Sequence, residues 1–398
     1  HYVTVADESR AYFSKEDLEH YCENPQARFD VIEHPSNNTN YVITGNQNKS
    51  TLYSSISNSN YNKLIYDILQ MPISIRNRVA MTADANPFQE YLMGVRYIQT
   101  KADKVPAGYT ALQEKSGHIL AENKSVLPIA YGSTALLSES DYDKLSYPQT
   151  LDTITNRTIV SDLSDLSAPY TSQMKEYSLP EDFFRHKTEK SSETLRCQLP
   201  HALPGSTILL ISFDVEYDGE KDISIIINGI RNRLSGSEAP YPNNNERFCY
   251  MISSDEELEA LDITYSKGNY KIKNVHAYTI PLSALSHPGI VEFQDGSTSG
   301  KEIINGSIDM PENGYFVTSY TFSRGYTAYV DGKEVTPIQV NKAFLGFPLQ
   351  KGAHEIQIEF HAPGKSLGFI LSLTAAVLLI LSQLGWRVIS KASSTGSV

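Results

Sequence analysis

Hydrophobic and polar positions divide the chain into three regimes. From residue 1 to about 160, helical and alternating patterns are mixed. Ser14 and Asp17 have the spacing of a capping box and open a short helix through Cys22. FDVIEH (29–34) and NYVITGN (40–46) alternate about an Asn37-Asn38 turn and read as strands. Tyr61, Leu64, Ile65, Ile68 and Leu69 recur at helical spacing. Residues 88–93 read as a short helix stopped by Gly94, and VRYIQT after it as a strand with Val95, Tyr97 and Ile98 inward. Further short helices are expected over 138–145 and around 151–154.

Residues 161–195 are rich in Ser, Thr, Asp and Lys and read as a linker with a small ordered piece at Phe183-Phe184. The period then becomes two. In TILLISFDVEY, Leu209, Ile211, Phe213, Val215 and Tyr217 share one face. Asp218-Gly219 and DISIIING follow, which predicts a hairpin. The stretch from GSIDM through YFVTSYTF, TAYVDGKEV, QVNKAFLGFPL and HEIQIEFHA is strand and turn throughout. The predicted fold class is α+β: an N-terminal mixed α/β domain over 1–160, a linker over 161–195 and an antiparallel β-sandwich over 196–364.

The third regime is SLGFILSLTAAVLLILSQLGW (366–386), which carries no Asp, Glu, Lys, Arg or His. As a helix it is roughly 31 Å long, the thickness of a bilayer's hydrocarbon core. Lys365 bounds one end, and Trp386, Arg387 and Lys391 the other. Aromatic followed by positive charge is a cytoplasmic-interface pattern. The expected topology puts residues 1–365 outside the cytoplasm and the 387–398 tail inside, with the lipid bilayer as a partner. His1 is not an initiator Met, and the first residues lack a signal-peptide core. The expectation is therefore the C-terminal piece of a longer membrane protein.

Composition narrows the function classes. A net charge of −12 argues against nucleic acid and against adsorption on anionic lipid. The 25 tyrosines outnumber the 14 phenylalanines, which suits a polar external surface and sugar contacts. Cys22, Cys197 and Cys249 form no metal-binding pattern; Cys197 and Cys249 fall in strands of one domain and could pair or remain thiols.

Candidate chemistry is sparse. Asp84, Asn86 and Glu90 make a small polar group that is either a ligand contact or an N-cap with its first turn. His34 and His118 are isolated. Asp331-Gly332 between alternating strands is what a two-residue turn demands. Tyr315, Tyr320, Tyr326 and Tyr329, with Phe344 and Phe347, could form a sugar-stacking platform, although alternation sends about half of them inward. No acid/base pair stands out as catalytic.

The ordered motifs YFVTSYTFSRGYTAYVDGKEV (315–335) and VNKAFLGFPLQKGAHEIQIEFHAPG (340–364), followed by the terminal span, resemble the C-terminal region of the bacterial YfhO family of multi-spanning membrane proteins. TLYSSISN (51–58), YLMGVRYIQTK (91–101) and LPIAYGS (127–133) stand in the family's order upstream. Arg324-Gly325-Tyr326 occupies the place where many members carry Gly-Trp. The resemblance implies a GT-C-type glycosyltransferase. Such an enzyme takes sugar from a polyprenyl-phosphate donor and adds it to a cell-envelope glycopolymer of the teichoic-acid type. The catalytic carboxylates of such enzymes lie on an external loop between N-terminal membrane helices, outside this sequence. No catalytic residue is therefore carried over, and no metal or cofactor is expected in this chain. Donor contact would come through the missing N-terminal region. Two other classes compete: a non-enzymatic membrane-anchored adhesin or scaffold, and an anchored glycoside hydrolase, which would need two facing carboxylates.

Overall fold

The structure, a computed structural model, describes residues 12–24, 26–32, 48–53, 58–74, 80–81, 86–161, 169–184, 192–296 and 302–395. The strand expected at 40–46, its Asn37-Asn38 turn, His34, Asp84 and the end of the tail lie outside those residues. The fold is α+β, with largely antiparallel sheets and one long apolar C-terminal helix.

Local signals build the N-terminal part. Ser14 and Asp17 form the capping box in full and start the helix Lys15–Tyr21. The strand Arg28–Val31 does not turn back in a hairpin. It pairs in parallel with Val95–Lys101, which pairs antiparallel with His118–Glu122. Between them runs the helix Pro87–Met93, capped at its start by the Asn86 side chain and stopped by Gly94 in the left-handed conformation (φ 67°). Val95 and Ile98 pack in the main core and Tyr97 in a smaller cluster with Phe13 and Phe29, so both faces of this strand are buried. The stretch expected as one amphipathic helix is a short α-helix, Ser59–Asn62, running into a π-helical turn, Lys63–Ile68.

The largest sheet has 11 strands among the described residues. It joins parts far apart in sequence. The strand Ala130–Ser133 lies between Ile290–Asp295 and Gly314–Thr321. Leu136–Ser138 and Thr158–Val160 extend the same sheet. The sheet therefore crosses the boundary drawn at 160. It curls on itself: Phe293, Ile304, Ile308, Ile356 and Ile358 from one half close on Phe316, Leu345 and Phe347 from the other. The other side of the strand Gly314–Thr321 places Tyr315 and Val317 in the core shared with the N-terminal helices. Period two explains both assignments.

A separate two-sheet sandwich is formed by residues 175–281. One sheet orders Lys175–Glu176, Lys271–Pro281, Thr207–Glu216 and Arg247–Ser254; the other orders Glu193–Leu203, Leu258–Tyr265, Ile223–Ile227 and Ile230–Leu234. The core between them contains Leu209, Ile211, Phe213 and Val215, as alternation predicts, and Phe184 packs on Phe213 at 4.9 Å. The hairpin expected about Asp218-Gly219 is not formed. The chain crosses there to the opposite sheet, because alternation names a strand's inner face but not its partner. Gly219 meets a different need: a Cβ would lie 2.3 Å from the Tyr217 hydroxyl. The tight turn falls instead at Asn228-Gly229 (φ 48° and 87°), where Ile227 pairs with Ile230. Ile208 and Leu210, on the outer face, are also fully buried, in the N-terminal core. Burying such side chains stabilises the docking by roughly 1.5–3 kcal/mol each. Cys22, Cys197 and Cys249 are all free thiols.

The last strand, Gly352–Phe360, leads into the helix Lys365–Thr395. Its first 20 residues, Lys365–Leu384, are apolar enough to cross a membrane and none is buried against the protein. The helix continues beyond Trp386, into the stretch expected as tail.

Gly94 and Gly332 provide a matched test. Both have positive φ, but a Cβ on Gly94 would lie 2.5 Å from the Leu127 carbonyl oxygen, whereas Gly332 meets nothing within 4 Å. Gly332→Ala should cost about 1 kcal/mol, the left-handed penalty alone, and Gly94→Ala about 2–4 kcal/mol in urea unfolding. Equal losses would show that backbone contact at Leu127 is unimportant.

Candidate functional site

A cleft of about 400 Å³ opens where the N-terminal sheet meets the large curled sheet. Its centre is Arg28, the first residue of the N-terminal strand, only 4 % exposed. Nε donates to the Lys49 carbonyl at 3.2 Å. Nη1 donates to the Met93 carbonyl, at the C-terminus of the helix Pro87–Met93, and to the Ser319 hydroxyl. Nη2 donates to the Ser319 carbonyl at 3.1 Å. A guanidinium has five N–H donors, so one N–H of Nη2 has no partner among the described residues. No carboxylate among them lies within ion-pair distance of Arg28. Burial lowers its pKa from the usual value, with the neighbouring Tyr320, Tyr61 and Asp30 opposing the shift.

Among the described residues, the charges at the cleft leave it net positive. Asp30, fully buried, accepts from the Ser50 amide and hydroxyl and lies 3.7 Å from Lys49 Nζ. Burial lowers the Lys49 ammonium, and Asp30 partly restores it. Asp30 and Lys49 thus neutralise each other, and the Arg28 charge is left over. Gln89 donates to the Ser50 hydroxyl at 2.7 Å, and Tyr61 donates to the Ser50 carbonyl. These contacts hold the Lys49-Ser50 backbone against the helix.

Two of the four tyrosines singled out from the sequence meet here. The Tyr320 ring lies beside the Arg28 guanidinium, 5.8 Å from centroid to Cζ. Tyr326 lines the same cleft and packs on Phe360 at 4.9 Å. Burial raises both phenols, Tyr326 to about 12. Both hydroxyls therefore remain protonated at neutral pH. Tyr315 is in the core at 7 % exposure. Tyr329 faces away from Tyr326, beside Gln357 across the sheet. Phe344 and Phe347 are fully buried. A single platform of these six rings is therefore not assembled. Arg28, Lys49, Ser50 and Ser319 escaped the sequence reading because they lie far apart along the chain. The signal that was available is Arg28 and Asp30 alternating with Phe29 and Val31 in one short strand.

Other candidates resolve structurally. Asn86 accepts from the Phe88 and Gln89 amides as an N-cap. The Asp331 carboxylate lies in a two-residue turn (φ 53° and 73° with Gly332) and is held low by hydrogen bonds from His354 and the Glu355 amide. His118 stacks on Tyr12. The described residues contain no cluster of three or more His, Cys, Asp or Glu suited to a metal.

Glu90, third member of the polar group, is 3 % exposed, and its Oε1 has no hydrogen-bond partner among the described residues. Burial, reinforced by Asp30, pushes its pKa up to about 8 from 4.5. Its folded pKa is raised, so its contribution is complete below pH 4.5 and is lost as pH rises towards 8. Burial takes His287 down to about 4 from 6.5, so its contribution grows between those values. The two offset one another from pH 4.5 to 6.5, leaving a decline above 6.5. Glu90→Gln should remove that decline. Its stability relative to wild type should climb with pH by up to about 1.4 kcal/mol per unit in urea titrations at pH 5, 6.5 and 8. A difference that does not change with pH would contradict this burial account.

Comparison with known proteins follows the same lines. The family described as bacterial membrane protein YfhO matches residues 1–372. An uncharacterized YfhO protein of Bacillus subtilis (strain 168) is 22% identical over 380 residues, covering 90% of this chain and 43% of its own length. The chain thus spans less than half of that relative. Among solved structures, a mycobacterial arabinofuranosyltransferase AftD aligns over 66% of this chain and 30% of its own at 10% identity, with a TM-score of 0.15. Latent PorU from Porphyromonas gingivalis aligns over 65% and 27% at 10% identity, with a TM-score of 0.17. Neither score defines a shared fold. The family match over nearly the whole sequence does settle membership: the chain belongs to the YfhO family of bacterial membrane proteins.

Proposed function

We propose that this chain is the extracytoplasmic and membrane-anchoring part of a polyprenyl-phosphate-sugar-dependent glycosyltransferase, and that its Arg28 cleft positions an anionic envelope glycopolymer of the teichoic-acid type. The observation that carries the reading is the Arg28 charge, uncompensated and with one unused N–H among the described residues, inside a tyrosine-lined cleft. Planar guanidinium donors suit a phosphodiester oxygen. Tyr320 and Tyr326 supply ring faces and neutral hydroxyls for the adjoining sugar or polyol. The rest of the chain is acidic, at −12 overall. An anionic polymer is therefore repelled elsewhere and drawn to this cleft.

Position supports the same reading. Phe360 lines the cleft, and the apolar helix begins at Lys365. A polymer held there lies at the membrane end of the domain. Transfer in the whole protein would need a carboxylate to deprotonate the acceptor hydroxyl while polyprenyl phosphate leaves. The chemistry is assigned to the region outside this chain. The chain's own contribution is orientation of the acceptor, which lowers the entropic part of the barrier.

The test is binding of poly(glycerol phosphate) to the full chain in zwitterionic detergent. Saturable, salt-sensitive binding is expected, weakened roughly tenfold by Lys49→Gln or Tyr326→Ala and unchanged by Tyr329→Ala. No binding, or binding indifferent to both cleft substitutions, would overturn the proposal. Capture of phosphatidylglycerol vesicles without polymer binding would also overturn it, and would mark the cleft as a lipid contact.

A further inference from the structure

A second cavity, about 640 Å³, lies on the opposite side of the helix Pro87–Met93, between that helix and the inserted sandwich. Its size is that of a small-molecule site. The helix contributes Glu90 and Tyr91, the segment after His118–Glu122 contributes Asn123 and Ser125, and the sandwich side contributes Ser283 and Ser286. Ser206 adds a further hydroxyl, aliphatic side chains and prolines make up most of the remaining wall, and no Lys or Arg lines it among the described residues.

The polar groups share one character. Tyr91 Oη accepts the His287 amide at 2.8 Å, which leaves its proton free to donate. Asn123 Oδ1 accepts the Ser125 amide, which leaves the side-chain NH₂ free. Glu90 Oε1 is buried and unpartnered. His287, also in the wall, is turned away: Nδ1 accepts the Gly289 amide at 3.3 Å and Nε2 lies 3.1 Å from the Thr158 hydroxyl. The cavity therefore presents amide, phenol, hydroxyl and carboxyl groups, each able to meet a hydroxyl, against an apolar wall.

We infer that this cavity binds an uncharged polyhydroxylated ligand of monosaccharide size, with the Glu90 carboxyl and the Tyr91 hydroxyl as its buried hydrogen-bonding pair. An anion would face a carboxyl group with no cation to offset it. A cation would require an ionised Glu90, and nothing in the wall stabilises that form: burial and the nearby Asp30 both hold its proton on. A protonated carboxyl both donates and accepts, as a sugar's vicinal hydroxyls require. This inference does not depend on the Arg28 cleft, which recognises phosphate.

The test uses the full chain in a sugar-free detergent and titrates methyl glucoside, methyl galactoside and N-acetylglucosamine by calorimetry, with glucose 6-phosphate and methylammonium as charged counterparts. At least one uncharged sugar should bind saturably, and its phosphorylated form about tenfold or more weaker. Glu90→Gln should retain binding, and Glu90→Leu should lose about tenfold or more. Ser286→Trp, at the exposed rim, should block entry without touching the core. If no uncharged sugar binds, if methylammonium binds in preference, or if Ser286→Trp leaves affinity unchanged, the inference fails.

Discussion

The buried Arg28 guanidinium is the constraint on which the arrangement of this protein depends. One side chain ties the C-terminus of the helix Pro87–Met93, the Lys49 backbone and Ser319 of the large sheet. Burying a cation is costly, and the cost falls as its donors are met. Here carbonyl and hydroxyl oxygens meet four of them without cancelling the charge. The helix C-terminus adds a favourable partial negative charge. Residues 28, 93 and 319 are thereby held in one place, and the cleft is the space that remains around them.

The same logic explains the inserted sandwich. Its outer sheet buries Ile208, Leu210 and Met251 against the N-terminal core, and Tyr147 hydrogen-bonds Cys249 across that junction at 2.8 Å. The insertion is therefore packed into the body that carries both cavities. The helix Pro87–Met93 is shared by the two sites: Met93 lines one, and Glu90 and Tyr91 the other. One rigid element thus separates a phosphate-suited cleft from a neutral, hydroxyl-lined cavity.

Local chemistry was well marked in the sequence. The Ser14 capping box, the Gly94 stop, the inward row Leu209, Ile211, Phe213 and Val215, and the Asp331-Gly332 turn depend on near neighbours, and the fold follows them. Strand partnership was not marked. Nothing near Ala130–Ser133 signals pairing with strands more than 150 residues away, and the Asp218-Gly219 signal pointed to a hairpin that the sheets do not form. The candidate site was half visible: Tyr320 and Tyr326 stood out as aromatic, but Tyr315 is indistinguishable from them until the pleat direction is known. Arg28, Lys49 and Ser319 had no common signature, because only long-range pairing brings them together.

Hydrogen–deuterium exchange of the full chain with and without poly(glycerol phosphate) tests the central claim most directly. Polymer in the Arg28 cleft should slow exchange in two segments distant in sequence, residues 48–53 and 319–326, and leave the sandwich strands near 223–234 unchanged. Slowing confined to the sandwich, or to neither segment, would contradict an anionic acceptor held at Arg28.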